Sequence, residues 1–228
     1  MDSLDLYARI EPYIGFYEEY EALYKKYLEI VKSLHVKNVL DVGCGNGKFL
    51  KHLQKSGYEA LGIERSAQMV HIAQSLGVDA KVAELSSLKP NSYDVVVAIG
   101  DVLNYIKPEK LDDFFLHVSQ VLKEGGFFIA DVNTLEGFSV ADGVMVNSND
   151  EGFLAIEANF VDNILDTEIN FFEKKGDIYN KITGNVQQYF HPKKYFKKQK
   201  SLRYQKSYMH SMFSDLDEKE IMLFKKVI

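Results

Sequence analysis

The sequence predicts an α/β fold: a doubly wound, mostly parallel seven-stranded sheet with N-terminal helices and a small antiparallel β insertion after the fifth strand. Three observations predict it. From residue 37 onward, short apolar runs alternate with amphipathic stretches of helical length, as strands joined by crossover helices do. Between residues 144 and 190 the period changes to two, with no helical spacing. Two further runs, 203–213 and 220–228, close the chain as strands. A length of 228 residues suits one such domain with an insertion.

The elements follow in order. Up to residue 35 the chain reads as helix, with Tyr20, Leu23, Tyr24, Tyr27, Leu28 and Val31 on one face. Pro12 and Gly15 are expected to divide it from a shorter helix before it. "NVLDVG" is a first strand, and "GKFLKHLQKSG" a helix closed by Gly57. "YEALGIE" is a second strand, followed by a helix from the N-cap Ser66 to Gly77. "VDAKVAE" is a third. "YDVVVAIG" is a fourth, apolar throughout as befits a strand buried on both faces. A helix is expected from Pro108 to Gly125-Gly126, then a fifth strand, "FFIADVN". In the insertion, "FLAIEANFV", "TEINFFEKK" and "IYNKITGNVQQYF" alternate between turns at Asn163 and Gly176-Asp177. "PKKYFKKQ" reads as a short helix, and the polar "SDLDEKE" as the turn joining the last two strands.

Composition narrows the function. A net charge of −6 argues against a protein that coats nucleic acid, although the run "HPKKYFKKQKSLRYQK" is locally basic. The single cysteine, Cys44, excludes an internal disulfide and multi-thiolate zinc sites, and fits a reducing compartment. The N-terminus shows no basic leader with an apolar core, and no run approaches the roughly 20 apolar residues of a membrane span. A cytoplasmic protein with no membrane partner is expected.

Residues 39–50, "VLDVGCGNGKFL", carry the chemistry. A loop this poor in side chains lets a ligand approach the backbone. A P-loop would need Ser or Thr after Lys48, where Phe49 stands. A dinucleotide loop would need its third glycine one position later than Gly47. Asp41, two residues before Gly43, would repel a pyrophosphate and favour an ammonium group. The loop therefore suits a cationic or zwitterionic ligand.

"LDVGCGNG" resembles the first motif of the class I S-adenosylmethionine-dependent methyltransferases, whose core is a Rossmann-like sheet. The resemblance spans roughly residues 35–135, and the rest is similar to the small-molecule methyltransferases with a β-sheet insertion. It implies that Asp41, Gly43, Cys44, Gly45 and Gly47 surround the methionine part of S-adenosylmethionine, Cys44 as a small filler. Glu64 in "LGIERS", beside Arg65, matches the acid that takes the ribose hydroxyls; a carboxylate accepts two hydrogen bonds at once. Glu84 and Leu85 fall where the family meets the adenine, with Glu84 in place of the commoner Asp. Gly100 and Asp101 match the mouth of the site. On this reading 1–35 is a helical lid, 36–135 the cofactor-binding core, 136–191 the acceptor pocket or dimer contact, and 192–228 the completion of the core.

Methyl transfer from a sulfonium needs the nucleophile in line at about 3–3.5 Å, and a base only if it arrives protonated. The candidates for catalysis are Asp101, Tyr105 and His191, with Asn104, Asp131, Asn133 and Tyr189 near them. Asp101, Asp131 and Asn133 are hard oxygen ligands of the type that holds Mg²⁺, but turn-forming roles explain them as well, and no metal is expected. Tyr7, Tyr13 and Tyr17 are candidates for a lid, Tyr17 touching the cofactor. The expected activity is N- or O-methylation of a small-molecule acceptor. The rivals are an RNA methyltransferase using the lysine-rich segment 193–206, a nicotinamide-dependent oxidoreductase, and a non-catalytic domain of the same fold. The edge of the inserted sheet also offers a route to a homodimer.

Overall fold

The computed structural model describes residues 3–227. Two helices, α1 (Ser3–Ile14) and α2 (Tyr17–Ser33), precede the alternating core. That core runs β1 (Asn38–Val42), α3 (Lys48–Lys55), β2 (Glu59–Glu64), α4 (Ala67–Ser75), β3 (Ala80–Val82), β4 (Tyr93–Ala98), α5 (Leu111–Val121) and β5 (Leu122–Asn133). Then come α6 (Leu135–Ala141) and four strands, β6 (Gly143–Asn149), β7 (Gly152–Val161), β8 (Ile164–Lys175) and β9 (Ile178–Tyr189). The short α7 (Lys193–Phe196) leads to β10 (Leu202–His210) and β11 (Lys219–Lys226).

The large sheet has seven strands in the order β10-β11-β5-β4-β1-β2-β3. Strands β1 to β5 are parallel, and β11 runs antiparallel between β5 and β10. Successive side chains of a strand face opposite layers. Val95 and Val97 of β4 therefore join the core under α2 to α4, and Val96 and Ala98 the core under α5 and α7. Parallel strands covered on both faces are uniformly apolar, which is why β4 carries no polar alternation. The strand order reverses between β1 and β4, so their carboxyl ends open a crevice there.

The second sheet is antiparallel, in the order β6-β7-β8-β9. Its inner face buries Leu154, Ile169, Phe171 and Val186 against Leu6, Ile10 and Tyr13 of α1. The first helix is thus shared between the inserted sheet and the core.

Several local expectations give way. Pro12 lies inside α1, and the break falls at Gly15 and Phe16, both with positive φ. Helix α5 ends at Val121, and Gly125-Gly126 belong to β5. A Cβ on Gly126 would stand 2.9 Å from the Lys123 carbonyl oxygen and 3.0 Å from that of Asp94, and the β4–β5 register shifts there. The glycines make a bulge rather than a helix cap. The third strand shrinks to Ala80–Val82. Helix α6, capped by Thr134 Oγ1 accepting from Gly137 N at 3.1 Å, and strand β6 carry no periodic signal that announces them. The supposed polar turn 214–220 ends in three buried residues, Glu218, Lys219 and Glu220, and β11 starts at Lys219.

Candidate active site

A cavity of about 1240 Å³ lies over the carboxyl ends of β1, β2 and β4. Its far wall is the inner face of the inserted sheet, through Met145, Ile156, Ala158, Leu165 and Thr167. Helix α1 and the start of α2 roof it with Tyr7, Glu11, Tyr17 and Tyr20.

The glycine loop forms its floor. Gly43, Gly45 and Gly47 all have positive φ, a region that L-residues enter at a cost of about 1–2 kcal/mol. The three differ in surroundings. A Cβ on Gly47 would meet Ala73 Cβ at 2.7 Å and Val78 Cγ2 at 2.9 Å, and one on Gly43 would meet Val102 Cγ2 at 2.9 Å. One on Gly45 would meet nothing within 4 Å. Gly45 faces the open cavity, and Gly47 packs α3 against α4.

Glu64 ends β2 with its carboxylate spread over three backbone donors. Gly45 N donates to Oε2 at 3.1 Å; Arg65 N and Ser66 N donate to Oε1 at 2.7 and 3.2 Å. Asp41 lies beneath the loop, 2% exposed, and is pushed up to about 8 by burial and by the Glu64 charge. A buried carboxylate whose charged neighbour is another acid is set for a cationic ligand above it. Arg65 Nε donates to Glu84 Oε1 at 3.1 Å, so the two leave the second and third strands as an exposed pair. Leu85, 6% exposed, begins a short 3₁₀ turn below the cavity wall.

At the end of β4 the chain turns through Gly100 and Asp101, both with positive φ. Asp131, fully buried on β5, holds the turn: Gly100 N donates to its Oδ1 at 2.9 Å and Asp101 N to its Oδ2 at 3.1 Å. Tyr27 Oη of α2 donates to Oδ1 at 2.6 Å. Lys219 Nζ, at the start of β11, donates to Asp131 Oδ2 at 3.0 Å and Asn133 Oδ1 at 3.1 Å and ion-pairs with Asp101. Burial pushes Asp131 up to about 6 and pulls Lys219 down to about 7. The oxygens of Asp101, Asp131 and Asn133 thus converge on Lys219 Nζ. Buried Asn104 ties this corner to the insertion, accepting from Asn133 N at 2.9 Å and donating to the Tyr189 carbonyl at 2.9 Å.

Gly43, Cys44, Gly45, Glu64, Arg65, Glu84, Leu85, Gly100, Asp101, Tyr105 and Tyr17 are all brought to the cavity wall. Asp41 and Gly47 stand behind it. His191 does not reach it: the ring is 3% exposed, its Nε2 lies 3.0 Å from the Leu103 carbonyl, and burial pulls its pKa down. A neutral ring donating that hydrogen bond braces the Asn104 turn from behind, away from the cavity. Tyr7 and Tyr17 line the cavity, whereas Tyr13 packs on Phe171 with ring centres 5.0 Å apart. The lysine-rich segment 193–206 contributes nothing to the cavity; Lys193 pairs with Glu220. Sequence reasoning missed Lys219 and Glu11. The acid accepts from Asn46 Nδ2 at 2.7 Å and Lys48 Nζ at 2.6 Å, fastening α1 to the glycine loop.

A doubly wound sheet with a glycine loop after β1 and an acid ending β2 defines an enzyme that binds a nucleoside-bearing cofactor at its switch point. The comparisons specify which. Residues 39–126 match the family described as "Methyltransferase domain". A Geobacillus sp. protein, named a methyltransferase by inference, is 26% identical over 194 residues, covering 76% of this chain and 78% of that one. Other curated relatives, at 30–32% identity, are spanned over about half of their length. The structure of an S-adenosylmethionine-dependent methyltransferase from Clostridium acetobutylicum aligns with TM-score 0.75 at 23% identity, over 89% of this chain and 90% of that one. A sugar N-methyltransferase from Streptoalloteichus aligns with TM-score 0.72 at 15% identity, over 96% and 91%. Likenesses at these identities concern the fold. The chain is similar to the class I S-adenosylmethionine-dependent methyltransferases, and the cofactor to which these likenesses point is S-adenosylmethionine.

The residues present fit that cofactor: the open side of Gly45, the carboxylate of Glu64 and the buried Asp41 carboxyl, whose ionised form a nearby cation favours, are what a zwitterionic nucleoside needs. Among the described residues no helix is long and apolar enough to cross a membrane.

Proposed function

We propose that this methyltransferase acts on a small-molecule acceptor, on nitrogen or oxygen, by in-line displacement. The observation that carries this reading is the enclosure of the cavity between the strand ends and the inserted sheet. Ligand pockets commonly measure about 300–1,000 Å³, so 1240 Å³ has room for cofactor and a small acceptor together. A polynucleotide would have to approach through the roof made by α1, and the lysine-rich segment lies elsewhere. The Streptoalloteichus neighbour, a sugar N-methyltransferase sharing this fold, is consistent with the same reading.

The roles follow from position. Asp41 and the Gly43–Gly47 backbone, with Cys44 filling between, serve the methionine part; Glu64 serves the ribose hydroxyls, flanked by Arg65. Glu84 and Leu85 serve the adenine, and Gly100 and Asp101 the methyl end. Tyr17 closes over them, and Tyr105 faces the acceptor from the turn after Asp101. The bound cofactor supplies an electrophilic methyl on a sulfonium, so this chain's residues have only to orient the acceptor, exclude water and accept a proton where one is lost.

Calorimetry with S-adenosylmethionine and S-adenosylhomocysteine, with NADH as control, tests the cofactor side. Both sulfur ligands should bind at about micromolar Kd, NADH should not, and Glu64→Ala should weaken binding at least about tenfold through its lost hydrogen bonds. Methyl-labelled cofactor then tests the acceptor side against a panel of amines, amino sugars and phenols and against total RNA. Label in a small molecule supports the proposal; label in RNA alone overturns it.

A further inference from the structure

We propose that Lys219 is a positioning residue of the methyl-transfer site, whose ammonium keeps Asp101 and Asp131 ionised together and holds Asp101 in its left-handed turn against the cavity. This rests on the placement of the methyl end at Gly100 and Asp101.

The geometry is specific. Lys219 is 3% exposed and lines the cavity; its Nζ donates to Asp131 and Asn133 and ion-pairs with Asp101. Burial alone pulls the amine down, and the two carboxylates facing it favour its charged form. Two carboxylates this close in a buried corner would otherwise share a proton, since like charges in low dielectric cannot both persist. Asp101 has φ +67, a strained conformation for a residue with a side chain. Two contacts hold it there: its N–H on Asp131 and its carboxylate on Lys219.

Every element around the cluster contributes to its electrostatics. Tyr27 of α2 donates to Asp131. His210 of β10 is cross-strand from Lys219 and feels Asp131, Lys26 and Glu218. Glu218 is buried, one oxygen taken by Met212 N and Phe213 N, both at 2.6 Å. Lys219 is the one ammonium that touches either aspartate among the described residues.

An ionised Asp101 at the cavity wall completes the chemistry. The acceptor heteroatom forms its bond to the methyl carbon as the carbon–sulfur bond breaks onto sulfur. Its proton passes to the Asp101 carboxylate and from there to water.

Carbon-13 NMR of carboxyl-labelled aspartate measures the pair directly, with Asp101→Asn and Asp131→Asn used for assignment. In Lys219→Met one carboxyl of the pair should titrate at least about two pH units higher than in the unaltered protein, while Lys219→Arg restores the original midpoint. A midpoint unmoved within about half a unit in Lys219→Met overturns the proposal. Where Lys219→Met fails to fold, nitrogen-15 NMR of lysine-labelled unaltered protein decides. A slowly exchanging Lys219 ammonium signal at neutral pH supports the proposal, and a neutral amine overturns it. Calorimetry on the same samples separates the two readings. Cofactor binding with an unmoved midpoint defeats only the role of Lys219, and a moved midpoint without cofactor binding defeats only the site assignment.

Discussion

At the scale of the residue, neighbouring glycines of one loop have different reasons for being glycine. Gly45→Ala should cost only about 1–2 kcal/mol, that of a side chain in the left-handed region, because its Cβ meets nothing within 4 Å. That methyl group instead enters the ligand's space, so S-adenosylmethionine affinity should fall by about tenfold or more, read by calorimetry. Gly47→Ala has the opposite signature. Its Cβ would overlap Ala73 and Val78 in a left-handed conformation, costing about 2–4 kcal/mol and lowering Tm by about 5–10 °C. Equal effects of the two substitutions on Tm would defeat this assignment. The glycine loop, Glu64 and Asp101 were legible because each is a distinctive residue at the end of an apolar run. Lys219 was not. "SDLDEKE" is polar at six of seven positions, and local composition says turn. Strand β11 begins inside it because Lys219 pairs in register with Asn133 of β5, a contact 86 residues away that no local pattern encodes.

At the scale of the element, α1 is fastened on both sides of the cavity it roofs. It bridges two bodies: Leu6 and Ile10 bury against the inserted sheet, while Glu11 grips Asn46 and Lys48 of the glycine loop and Asp5 accepts from Ser66 Oγ at 2.6 Å. Lys48 also lies 4.3 Å above the Tyr17 ring, which draws the next helix into the same fastening. The Glu11–Lys48 side chains are about one-third exposed, and such pairs contribute about 0.2–1 kcal/mol. Glu11→Gln should therefore speed cofactor dissociation by about two- to fivefold with little change in Tm, measured by competition after rapid mixing. An unchanged dissociation rate would show that α1 is not what releases the ligand. The sequence offers Pro12 and Gly15 together as the division between the two helices, and only Gly15 divides them. In the last turn of a helix a proline costs one hydrogen bond, whereas Gly15 and Phe16 reverse the backbone outright. The insertion was legible as a β region through its alternation. Its first strand and α6 were not, because β6 is exposed at nearly every position and so carries no buried side to alternate with.

At the scale of the whole molecule, the site is electrostatically unbalanced toward the acid, and the fold bears that imbalance until a cation arrives. Asp41 is pushed up to about 8 and Asp131 up to about 6, chiefly by burial. An acid raised in the folded state binds more protons folded than unfolded across the interval between its two pKa values. Stability must then fall as pH rises through that interval, from about 4 to about 8 for Asp41. A cationic ligand reverses the sign locally, since its charge favours the ionised carboxylates, so binding expels protons and tightens as pH rises toward about 8. Lys219, pulled down to about 7, acts with the opposite sign above that pH, so the Asp41 contribution is read against Asp41→Asn. Between about pH 6 and about pH 8.5 the unaltered unliganded protein should lose Tm relative to that variant, and the rise in Tm on adding S-adenosylmethionine should be larger at the higher pH. Each tenfold gain in affinity is about 1.4 kcal/mol, or about 3–6 °C for a domain of this size. Asp41→Asn removes the titrating carboxyl, so the pH dependence of the ligand-induced rise in Tm should shrink in it. S-adenosylhomocysteine, which lacks the sulfonium but keeps the amino group, should show a smaller difference between the two pH values. If the two ligands shift Tm alike at both pH values, the acids act on the amino acid part alone and the field does not reach the sulfur.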